Sequence, residues 1–165
     1  MEEILPPQTE SGAGFEPPRV PQLTIFLDNR VGRLQTLVRT YEDAEGRIMA
    51  LAIDSSPDVA LVRMICSDAE LARKVLAHEG FAFAEQELLI VQLPRKSKHP
   101  LVSICSALLT AEINIHYVYP LLIGPGGPAL AIYIDDLVLA SQILIRKGFI
   151  LVGESDLRGD SPPTA

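Results

Sequence analysis

A chain of 165 residues, 48% hydrophobic and 21% charged, can build one domain or two very small ones, and most of it should fold. A net charge of −7 with a pI near 4.9 argues against a basic nucleic-acid surface, and no apolar run reaches the ~18–20 residues that span a bilayer. Cys66 and Cys105 are too few for a disulfide framework or a zinc site, so a cytoplasmic protein is expected.

Residues 1–21 hold five prolines and four glutamates, which predicts a flexible acidic tail rather than a secretory signal. Residues 154–165 have the same character. The tails carry −3 and −2, so the core from Gln22 to Gly153 carries only −2.

Leu23–Leu27 alternates and predicts a strand, broken by Asp28-Asn29-Arg30-Val31-Gly32. Leu34, Leu37, Val38 and Tyr41 then share one helix face, and Gly46 stops that helix. Strands are expected at Arg47–Asp54 and Val59–Cys66. Ser67 and Glu70 form a capping-box pattern ahead of a helix that ends at Gly80 in a left-handed cap. Phe81–Ala84 reads as a short fourth strand. The order then repeats: strand Leu88–Leu93, helix Leu101–Glu112, strand Asn114–Ile123, a turn at Gly124–Gly127 and strand Ala129–Ile134. Asp135 is the expected cap of a helix over 136–147, and Phe149–Val152 closes the series.

ARKVLAHEGF at 72–81 aligns with ASQILIRKGF at 140–149, and Leu23, Leu27 and Leu34 align with Leu89, Leu93 and Leu101. The fold class is therefore α+β: two ferredoxin-like βαββαβ modules, with antiparallel sheets and helices on one face. The modules span 22–86 and 87–153, between tails at 1–21 and 154–165. Both faces of the Val59–Cys66 strand are apolar, so the helix-free faces should be covered, by the other half or by a second chain. Arg63 on that face calls for a carboxylate partner. Val138 and Ile145 add an outward apolar strip to the last helix, which suggests a subunit contact.

No acid/base pair, nucleophile or metal-ligand spacing stands out among His78, His99, His116 and the cysteines, which both fall on apparent inward faces. No catalytic residue, metal or cofactor is expected. What remains is the junction Asn29-Arg30-Val31-Gly32-Arg33-Leu34. Gly32 lets a ligand approach the backbone, first-turn amides attract a carboxylate, and Asn29 offers a donor and an acceptor. The basic loop Arg95, Lys96, Lys98, His99 is a second anion candidate.

With Asn29-x-x-Gly32-x-Leu34 after the first strand, Ile113-Asn114-Ile115-x-Tyr117 in the second half, and Gly-Phe pairs at 80–81 and 148–149, the chain resembles the ACT-domain family in tandem form. The resemblance implies modules paired side by side, an amino acid bound at their interface, and a homodimer. Asn29–Leu34 would face Asn114, Ile115 and His116. The reciprocal site, pairing loop 94–101 with Arg47–Met49, lacks the Gly and the Asn and is expected to be degenerate. The resemblance further implies a non-catalytic regulatory protein with an amino-acid effector. Its target would be a separate biosynthetic enzyme; the small subunit of acetolactate synthase is the alternative reading. RNA recognition is disfavoured by the core charge and by tyrosines confined to one half.

Overall fold

The computed structural model describes residues 14–159. The elements follow the βαββαβ order twice. In chain order they are β1 (Val20–Asp28), α1 (Arg33–Asp43), β2 (Ile48–Ser55), β3 (Val59–Cys66), α2 (Ala69–His78) and β4 (Ala82–Gln92). The second half adds α3 (Pro100–Thr110), β5 (Ile115–Pro120), β6 (Ala129–Ile134), α4 (Leu137–Arg146), β7 (Leu151–Val152) and α5 (Glu154–Arg158). Each pairing is antiparallel, in the order β2-β3-β1-β4-β6-β5, with β7 on the second half of β4.

The two strands expected at 81–84 and 88–93 are one. The first part of β4 pairs with β1, from Phe26↔Ala82 to Val20↔Leu88. Its last residues pair with β6, from Leu89↔Ile132 to Gln92↔Ala129. The charged stretch Glu85-Gln86-Glu87, which lies between the two expected strands, continues the strand. Glu85 binds Arg73 and Glu87 binds Arg19, so both acids are paired on one face while Gln86 points to the other. One strand thus completes the first module and opens the second.

Three apolar clusters follow from strand alternation. Leu23, Ile25, Val62 and Met64 meet Leu37, Tyr41 and Leu76 of α1 and α2. Leu89, Val91, Ile132 and Ile134 meet Ile104, Leu108, Ala140 and Leu144 of α3 and α4. The opposite strand rows, Met49, Ala50, Ile65, Leu88, Ile90, Tyr119, Ala129 and Ala131, pack on one another. β2 and β5 lie at opposite ends of the strand order, yet Leu122 N donates to Met49 O at 2.7 Å. The sheet therefore folds over at β4, and the helix-free faces of the two halves cover each other, with helices outside.

Polar groups inside this middle layer are paired, as burial demands. Gln22, fully buried, donates to Tyr117 Oη at 2.8 Å and accepts from Tyr119 Oη at 2.6 Å. Gln86 Oε1 accepts from both Gln22 and Tyr117. The Arg63 guanidinium lies 4.3 Å from the centre of the Tyr117 ring. Arg63 thus meets an aromatic face where a carboxylate was expected; among the described residues it has no ion pair.

Local signals shift by one residue at two helix starts. Asp68, not Ser67, caps α2, accepting from Leu71 N at 3.1 Å. The Ser67 hydroxyl instead accepts from Arg47 N on the neighbouring chain segment. Asp136, not Asp135, caps α4, accepting from Leu139 N at 3.0 Å, while Asp135 pairs with His116. Gly80 takes the left-handed cap as expected, at φ 75. The tail expected from residue 154 begins with α5, whose Leu157 is buried in the middle layer. The rest of the tails, at 1–13 and 160–165, lies outside the described residues.

Candidate ligand-binding site

The strand-to-helix junction at 29–34 is held by its own module. Asn29 N donates to Asp58 O at 3.2 Å, and Asn29 Nδ2 donates to Ser56 O at 2.7 Å, both on the β2–β3 turn. Arg30 N folds back to Asp28 O at 2.8 Å, and Val31 stands fully exposed. Gly32 is the N-cap residue at φ 85, ψ −10, a left-handed conformation that strains any side chain. It supplies no capping side chain, and the first turn holds no acid. The amides of Leu34 and Gln35 find no acceptor among the described residues. Such uncapped amides favour an anion.

Arg33 does not extend into solvent. Its guanidinium lies 5.4 Å from the centre of the Phe81 ring, and its Nε is buried without a hydrogen-bond partner. Leu34 packs against the first core cluster.

The stretch expected to face this junction leads into β5, an edge strand. Asn114 is exposed, and Ile115 packs into the second-module core. His116 pairs through Nε2 with Asp135, and its ring lies 5.2 Å from that of Tyr133. No hydrogen bond, ion pair or ring contact among the described residues joins 29–34 to 114–116 within one chain.

Beside β5 the surface is apolar. α3 contains no charged residue and exposes Leu101, Val102 and Leu109. A cleft of about 300 Å³ runs between α3 and β5, with Leu101, Ile104, Val118 and Leu130 in its walls. Cys105, expected inward, is exposed and lines this cleft. The other thiol, Cys66, is buried, and burial pushes it up to about 12. The sequence signal for the buried polar network is the inward-facing row Val20-Gln22-Thr24, which the proline-rich segment before it masks.

Among the described residues, no group of His, Cys, Asp or Glu is arranged to hold a metal ion, and no helix is long and apolar enough to cross a membrane. The chain is similar to protein BT0572 from Bacteroides thetaiotaomicron, at 25% identity and a TM-score of 0.77, over 86% of this chain and 97% of that one. It shares its fold with the regulatory subunit of aspartate kinase from Thermus thermophilus (10% identity, TM-score 0.55, 78% of this chain and 93% of that one). A structure of aspartokinase alpha and beta subunits is similar too (13%, TM-score 0.52, 78% and 91%). No curated protein sequence matches. The model of the ACT domain pair matches residues 19–159, and the chain belongs to that family.

Proposed function

We propose that this chain is a non-catalytic regulatory protein that binds a free amino acid between modules, with a second copy of the chain completing the site. The observation that carries this reading is the uncapped start of α1. It pairs free Leu34 and Gln35 amides with a left-handed Gly32 and no competing acid. A ligand carboxylate would meet those amides. Asn29 has its Nδ2 committed to Ser56, which leaves Oδ1 to accept from the ligand's ammonium group. Asn114 of a second copy, with Ile115 and His116, would close the other side, because β5 is an edge strand with unpaired backbone groups. The uncharged α3 and its apolar cleft support a protein partner along that edge. The regulated partner would be a separate biosynthetic enzyme, a reading supported by the shared fold with an aspartate kinase regulatory subunit.

Calorimetry and thermal melts against the twenty amino acids test this directly. One or a few should raise stability, by ~2.7 kcal/mol at 100 times their Kd, and N29A and N114A should each weaken that shift. Light scattering should give a dimer. Absence of heat and shift with every amino acid rejects the reading, and a monomer that still binds rejects the shared site.

A further inference from the structure

The two modules treat equivalent aromatic rings differently. In the first, Arg33 lies over Phe81. Phe149 is the repeat of Phe81, but the repeat of Arg33, one residue before the matched Leu34 and Leu101, is Pro100. A proline has no cation to lay over a ring. In the second module a cleft of about 490 Å³ opens instead, between the β4–α3 loop and the Gly148–Ile150 segment. Its volume lies within the ~300–1,000 Å³ range of small-molecule pockets.

Leu93, Pro94, Phe149 and Ile150 give the cleft apolar walls, and Arg95 and Lys96 bring two cations to it, with no acid in its lining. Arg95 is held in place: its Nη2 donates to Gly126 O at 2.6 Å, an acceptor it shares with Gln92. That leaves the remaining guanidinium donors for another partner. Elsewhere Arg19, Arg73, Lys74 and Arg158 pair with carboxylates. Arg95, Lys96 and Lys98 make no ion pair among the described residues. Other basic side chains, such as Arg39 and Arg47, are without an ion pair among the described residues too, but Arg95 and Lys96 line a cleft that also has an apolar wall.

We infer that this cleft binds a small oxyanion on an apolar skeleton, a carboxylate or a phosphate ester. The anion sits on Arg95 and Lys96 and the skeleton against Phe149 and Ile150. The site is separate from the α1 junction and does not depend on a second copy.

Titration calorimetry of the full chain with 4-methylpentanoate and with 3-methylbutyl phosphate tests it, and the tighter of the two names the anion. The uncharged 4-methylpentanamide and inorganic phosphate should bind at least about tenfold more weakly than the better probe. R95A/K96A should lose about tenfold in affinity, and I150E, at an exposed wall position, should abolish binding. Both variants should keep the amino-acid response of the wild type, so failure here is distinguishable from failure at the α1 junction. Equal binding of the amide, equal binding of bare phosphate, no heat with either probe, or undiminished affinity in R95A/K96A overturns the inference.

Discussion

Gly46 and Tyr41 illustrate how one contact dictates a residue. The Tyr41 ring is fully buried, and its hydroxyl donates to Asp68 O at 3.2 Å. A Cβ on Gly46 would stand 2.1 Å from that ring's Cζ. The ring cannot move aside without leaving its core site. Gly46→Ala should therefore cost about 1–3 kcal/mol, read as a lower urea midpoint with an unchanged slope. Sequence alone marked Gly46 as a helix stop; its steric role needed the position of a ring five residues earlier. Burial also pushes the Tyr41 phenol up to about 12, as it does the Cys66 thiol. Both folded values lie above the ordinary ones of 10.0 and 9.0, so the folded chain holds these protons more tightly than the unfolded chain. Their contribution is intact below pH about 9 and is lost as pH rises towards about 12. Urea midpoints across that range should fall, and in Cys66→Ala the fall should begin nearer pH 10.

At the scale of elements, periodicity located the helices and most strands because each buries one row or stripe. Cap positions slipped where a nearby strand or side chain claimed the obvious candidate, as Arg47 claims Ser67 and His116 claims Asp135. The helix ends of α1 and α3 carry a different signature. Both are followed by a glutamate in left-handed conformation, Glu45 at φ 65 and Glu112 at φ 55. The two sit at matching positions of the repeat, so the strain is duplicated along with the fold. Replacing either by glycine relieves it, and E45G and E112G should each raise stability by about 0.5–1 kcal/mol in urea unfolding. The strand-to-helix junction at 29–34 was legible from Asn29 and Gly32. The brace from Asn29 to Ser56 was not, because it depends on where the β2–β3 turn comes to rest.

Over the whole molecule, the duplicated architecture was legible and the joint between its halves was not. Alternation on both faces of β3 called for a cover, and the middle layer supplies it from the other half of the same chain. The merging of two expected strands into β4 was hidden by Glu85-Gln86-Glu87, since a polar run looks like a loop until its partners on both faces are known. A shared strand and a shared middle core leave little for either half to fold on. Heat or urea should unfold the protein in a single transition, with circular dichroism and tyrosine fluorescence coinciding. Residues 14–86 expressed alone should give a poorly dispersed amide spectrum. Two separate transitions would show that the halves are energetically independent.

Because β4 serves both halves, it fixes what lengths the gene can tolerate. A one-residue insertion or deletion near the middle of 82–92 would swap the inward and outward rows beyond the lesion, so the ladders with β1 and β6 could not both keep their register. The damage would reach both layers at once. Changes of length should instead accumulate in turns between elements, where no ladder has to stay in step.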